Sequence, residues 1–155
     1  IALNPNDALA YIVRGAAYDD NGQYDKAIED FNRAITLNPN NPEAYVNRGT
    51  YYDRKGRYER AINDFTKAIT IRPNYIKAYD KRGVMYGKIG KYQRAIEDFN
   101  KAIALDSNYA PAYDNRGLTY AKKGIMNRAI SDFQRACDMG DENGCENLQK
   151  ALQNR

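Results

Sequence analysis

Acid–base catalysis needs paired ionisable groups, and the obvious candidates are the carboxylates of Asp19, Asp20 and Asp53. The chain has no His, which removes the commonest proton-transfer residue and the commonest zinc ligand together. An open helical surface would give these acids no desolvation with which to raise a pKa, so enzymatic activity is not expected. No glycine-rich phosphate loop follows a strand, and no cofactor or metal is expected. The two cysteines, Cys137 and Cys145, lie eight residues apart with Gly140 and Gly144 between them. A bridge is sterically possible, although Cys137 stands where Ile35, Ile69 and Ile103 stand earlier, which favours buried filler. Two thiols without a His make a poor metal site, and they do not fix a compartment.

The charges are more regular. Arg14, Arg48, Arg82 and Arg116 recur every 34 residues, and so do Asp30, Asp64, Asp98 and Asp132. Such a column of arginines could face nucleic-acid phosphates, but the matching acidic column would cancel much of its field. Pairing between the two columns is the simpler expectation. Lys and Arg number 24 against 20 Asp and Glu, giving a net charge of +4 spread among mixed signs, so no nucleic-acid partner is expected.

The same period organises everything else. Units at 8–41, 42–75, 76–109 and 110–143 align without insertion or deletion. All four Phe share one column: Phe31, Phe65, Phe99 and Phe133. Eleven of the fourteen Tyr fall in three columns, headed by Tyr11, Tyr18 and Tyr24, with Met126 closing the last. Tyr11, Gly15 and Tyr18 share one helical face, as do Tyr24, Ala27, Ile28, Phe31, Ala34 and Ile35 on the next segment. Gly22, Gly56, Gly90 and Gly124 mark a turn between them, so each unit reads as a helical hairpin. A second glycine column, Gly15, Gly49, Gly83 and Gly117, falls inside the first helices, where glycine costs about 1 kcal/mol. Close approach of the helices, opposite Ala27, Ala61, Ala95 and Ala129, would repay it.

One hairpin cannot cover its own apolar face, so the units must stack. Residues 1–7 repeat the end of a unit (Ile1, Ala2, Leu3 and Pro5 match Ile35, Thr36, Leu37 and Pro39) and read as the remnant of a preceding second helix. The chain then reads as part of a longer array. Residues 144–155 carry the stripe Cys145, Leu148, Ala151 and Leu152 and are expected to form a capping helix. No apolar run is long enough for a membrane span, and no leader pattern opens the chain. A soluble protein without a membrane partner is expected, the cytoplasm being the default compartment.

Tyr11, Gly15, Tyr18, Ala27, Phe31, Ala34 and Pro39, with their counterparts thereafter, resemble the signature of the tetratricopeptide repeat family over residues 8–143. The resemblance implies an all-α fold, a right-handed superhelical solenoid of antiparallel helical hairpins whose first helices line a concave groove. It also implies adaptor or scaffold work, by holding a peptide or helix of a partner protein. On that basis the variable residues of the first helices become the candidate binding face: Ile12, Val13, Ala16, Asn47, Thr50, Lys77, Asp80, Lys81, Asn115 and Leu118. A fitting partner would be amphipathic, its apolar part near Ile12, Val13 and Ala16 and its acidic groups near Lys77 and Lys81.

Some family members that assist chaperones hold a terminal carboxylate in a clamp of five residues. Asn47, Lys77 and Lys81 stand at three of those places, but Ile12 and Ala16 replace the Lys and Asn expected at the other two. Loss of two such donors argues against that clamp. The alternative function is structural: self-assembly through end or face contacts, with Leu9, Ile12 and Val13 as apolar surface.

Overall fold

A computed structural model describes residues 6–153, and among these every regular element is an α-helix. The chain divides into two compact units, Ile1–Ala78 and Tyr79–Arg155. The first contains α1 (Ala8–Asp20), α2 (Tyr24–Leu37), α3 (Pro42–Arg54) and α4 (Tyr58–Ile71), and ends within α5 (Ile76–Lys88). The second holds the rest of α5, then α6 (Tyr92–Leu105), α7 (Ala110–Lys122), α8 (Met126–Asp138) and α9 (Glu142–Gln153). Residues 1–5 of the expected leading remnant lie outside the described residues, and so do 154 and 155 of the expected cap. Asp7, also assigned to that remnant, is the N-cap of α1, where its carboxylate accepts from the N–H groups of Leu9 and Ala10.

Local chemistry sets the breaks between helices. After α1, the Gly22 N–H donates to the Asp19 carbonyl and the Gln23 N–H to the Tyr18 carbonyl, and the same pair of bonds recurs around Gly56. This closing motif places its glycine in the left-handed region, here at φ of +72° and +68°, where other residues would be strained. The second helices stop at Leu37 and Ile71, two residues before Pro39 and Pro73. Asn41 then caps α3, whose first residue is Pro42.

Each hairpin closes on its phenylalanine. Phe31, Phe65, Phe99 and Phe133 are buried with the alanines one turn to either side. The mid-helix glycines face these rings: a methyl added at Gly49 would lie 2.7 Å from Phe65 Cε1, and one at Gly117 would also lie 3.2 Å from the Ala129 carbonyl oxygen. Four glycine positions share that 2.7 Å approach, so it is the repeat's way of seating an aromatic ring between two helices.

The arginine and aspartate columns pair within hairpins. Arg48 Nε and Nη2 donate to Asp64 Oδ2 and Oδ1 at 2.8 and 2.7 Å, and Arg14–Asp30, Arg82–Asp98 and Arg116–Asp132 make the same fork. The tyrosines complete the cradle, since the Arg48 guanidinium lies 5.7 Å from the Tyr45 ring and 5.9 Å from that of Tyr52. Arg48 also donates to Asn32 on the preceding hairpin, and Arg116 donates to Asn100 in the same way. The fixed charges therefore hold hairpins together and tie them to neighbours.

Helix α9 starts two residues ahead of the expected cap, because the Asp141 carboxylate accepts from the Gly144 N–H and organises its first turn. Ala151 and Leu148 pack on a cluster of Ile96, Tyr120, Ala129 and Phe133, which closes the apolar side of the last hairpin. Leu152, expected in the same stripe, stays half exposed. A disulfide joins Cys137 to Cys145 and ties α8 to α9. By the chain-entropy account, closing so short a loop contributes about 2–3 kcal/mol.

Candidate binding faces of the first helices

Positions spaced four and three apart set the outer face of each first helix: Leu9, Val13 and Ala16 on α1; Glu43, Asn47 and Thr50 on α3; Lys77, Lys81 and Val84 on α5; Pro111, Asn115 and Leu118 on α7. Leu9 and Val13 are 62% and 63% exposed, and Leu118 is 38% exposed, so apolar side chains reach water here. Ala16, Asn47, Thr50 and Lys81 are partly buried, and Lys77 is exposed. The Thr50 hydroxyl donates to the Val46 carbonyl one turn back and is spent on its own helix.

Ile12 and Asp80 lie elsewhere. They belong to a column, Ile12, Val46, Asp80 and Asp114, that is 6, 6, 8 and 7% exposed, which makes it packing surface and not open face. Ile12 packs with Ala34 and Ala44 where α1, α2 and α3 meet. In the second unit an aspartate takes that place, and a buried carboxylate must find donors. Asn115 Nδ2 donates to Asp80 Oδ1 at 2.9 Å, and the Tyr109 side chain lies near the same carboxylate. One repeat later Asn147 Nδ2 donates to Asp114 Oδ1 at 2.8 Å. Asn115 is thus committed to a structural bond as well as standing on the face.

Burial raises the pKa of Asp80 above the usual carboxylate value, against the lowering effects of Asn115, Lys81 and Tyr109. Burial likewise raises Asp114, opposed by Asn147, and lifts the Tyr109 hydroxyl to about 12 with help from the neighbouring Asp80. A carboxyl group whose pKa rises on folding binds more protons folded than unfolded, so its contribution to stability falls as pH rises between the two values. Asp80→Asn removes that charge while keeping the shape. The variant is expected to melt above the parent near neutral pH, with the gap closing as the pH falls toward about 4. Parallel thermal melts across that range check it, and a gap that widens on acidification would contradict it.

Sequence reading missed a pair that borders the face. Arg54, at the end of α3, makes an ion pair with Asp19 of α1, whose other carboxylate oxygen is buried without a hydrogen-bond partner. Its signal lies in two adjacent columns of the 34-residue period: Asp19, Asp53, Gly87 and Ala121 beside Asp20, Arg54, Lys88 and Lys122.

Hairpins of fixed length, closed by aromatic rings and internal ion pairs and leaving one face of each first helix to vary, define a helical repeat protein. Family models agree: one for the tetratricopeptide repeat matches residues 8–41 and 42–75, one for the TPR repeat matches 85–124, and another tetratricopeptide repeat model matches 110–139. The chain belongs to the tetratricopeptide repeat family. A crystal structure of MamA is 29% identical with a TM-score of 0.81, over 90% of this chain and 81% of that one. The first TPR of Spaghetti (RPAP3), bound to the HSP90 peptide SRMEEVD, is 26% identical with a TM-score of 0.74, over 80% of this chain and 98% of that one. The APC/C hetero-tetramer Cut9–Hcn1 contains a chain that is 22% identical with a TM-score of 0.86, over 95% of this chain and 30% of that one, a likeness of fold. No curated protein matches the chain in sequence. Among the described residues, no helix is long and apolar enough to cross a membrane.

Proposed function

We propose that this chain is a non-catalytic binding module that holds a segment of a partner protein along the faces of its first helices. The carrying observation is the contrast between fixed and variable side chains. All four arginines of the repeated column are engaged by carboxylates within their own hairpins, whereas Leu9, Val13 and Leu118 stand in water on the first helices. Exposed apolar side chains, with Lys88 and Lys122 bordering the cleft at Leu118, suit an amphipathic, acidic segment. The peptide held by the RPAP3 repeat supports the general mode, and that peptide is acidic. This chain departs from the terminal-carboxylate clamp, because Ile12 is packed into the core and Ala16 offers no donor.

Selection of a random peptide library displayed on phage, on the parent and on the Asn47→Ala/Lys77→Ala/Lys81→Ala variant, tests the reading. Enriched peptides that bind the parent and lose affinity on the variant are expected. Sedimentation velocity over a micromolar concentration range separates the structural alternative. A coefficient that rises with concentration, with no peptide enriched, would replace peptide binding by self-assembly.

A further inference from the structure

In the first unit, Arg54 reaches back from α3 to the carboxylate of Asp19 on α1. One repeat period on, twice over, the corresponding basic residue is Lys122 of α7, and the residue it would reach on α5 is Gly87. The acid has been deleted while the base remains. Lys122 has no carboxylate partner among the described residues.

The deletion leaves a hollow. Between α5 and α7 a cleft of about 140 Å³ is walled by Val84, Phe99 and Leu118 and bordered by Gly87, Lys88 and Lys122. Its size is close to that of an apolar cavity of ~150 Å³ that accepts a benzene-sized group. The glycine is not required by packing, since a methyl group at position 87 would meet only Thr119 Oγ1, at 3.9 Å. This contrasts with the 2.7 Å approach at Gly83 one turn earlier, where the ring of Phe99 excludes a side chain. At the start of α6 and the end of α7, Lys91, Arg94 and Lys123 line a further hollow and add to the positive charge.

From this geometry we propose that the cleft between α5 and α7 is an anchor site for a partner segment that carries an Asp or Glu side chain within one or two residues of Leu, Ile or Met. The aliphatic side chain enters between Val84, Phe99 and Leu118. The acidic side chain supplies to Lys122 the carboxylate that Asp19 supplies to Arg54 in the first unit. The proposal rests on the binding reading above and makes it specific. Ala121 replaces the acid in the same column one repeat later, and a second hollow of about 200 Å³ opens there beside Leu118, Met126 and Lys150. The occupant can therefore continue along α7 toward α9.

Gly87→Asp tests the site from inside, because it restores the missing carboxylate at a position with room for it. Peptides enriched on the parent from the displayed library are synthesised with blocked ends and titrated, by fluorescence anisotropy, against the parent, Gly87→Asp and Lys122→Ala. Peptides combining the acid and the aliphatic residue are expected, with affinity reduced about tenfold or more on both variants, the scale of one lost charge-assisted bond. Thermal melts at or above the parent value for Gly87→Asp would show that the loss is local. Enriched peptides lacking the acid, or binding both variants as well as the parent, would overturn the anchor site. If those peptides still weaken on the Asn47, Lys77 and Lys81 variant, the general binding reading survives; if no peptide is enriched at all, both fall together.

Discussion

Asp64→Ala is expected to cost about 3–5 kcal/mol of folding stability, far more than an ion pair at a protein surface would. The Asp64 side chain is 8% exposed and receives both in-plane donors of Arg48, whose own side chain is 21% exposed. Removing the acid leaves a guanidinium held between Tyr45 and Tyr52 with Asn32 still accepting from it. The loss then reflects an unpaired, half-buried charge more than the worth of the pair. For that reason Arg48→Met/Asp64→Leu should lose less than Asp64→Ala alone, since apolar replacements need no partner. The homologous cut at Asp30 should be milder, because the Arg14 side chain is 40% exposed and water can take over. Urea unfolding of the singles and the double decides the matter. A cost below about 1 kcal/mol for Asp64→Ala would place the pair in the surface class.

These pairs were legible as columns, because four charges spaced 34 residues apart can only be scaffold or a periodic ligand, and four opposite charges at the same period favour scaffold. Helix type, hairpin length and the aromatic core followed from the same register. The border between the open face and the stacking surface was not legible. Residue 12 lies one helical step, about 100°, from residue 13. Val13 is exposed while Ile12 is buried, and no feature of either residue type announces the difference. Asp80 misled further, since a charged residue in a column that changes type reads as ligand-facing. The amides that donate to Asp80 and Asp114, those of Asn115 and Asn147, sit on later elements, so the buried network appears only once hairpins are stacked. The Gly87 cleft was hidden for the opposite reason: an absent side chain gives no signal until the base across from it, Lys122, is placed beside it.

Phe65→Ala should be as damaging as the loss of Asp64, at about 3–5 kcal/mol, since it empties the centre of a hairpin. Phe65 is 1% exposed, with Ala61 and Ala68 fully buried beside it. The more informative variant is Gly49→Ala, whose added methyl would lie 2.7 Å from Phe65 Cε1 and 3.0 Å from Cδ1 and Cζ. Helix propensity alone would make that substitution favourable by about 1 kcal/mol. Overcrowding of the ring opposes it with about 1–3 kcal/mol, and Phe65 cannot yield because its hairpin is closed around it. A net loss is therefore expected in the parent. In the Phe65→Ala background the same methyl enters vacated space, so the double variant should be more stable than the sum of the singles implies, by about 0.5–3 kcal/mol. Strict additivity in urea unfolding would mean that the glycine serves something other than the ring. Gly87→Ala supplies the internal control, being the same substitution within a first helix but with the new methyl at an ordinary 3.9 Å from Thr119 Oγ1. There, helix propensity acts unopposed and the sign should reverse. One residue type in two columns then meets two different surroundings: at Gly49 the ring excludes a side chain, whereas at Gly87 a methyl would meet Thr119 Oγ1 at an ordinary 3.9 Å.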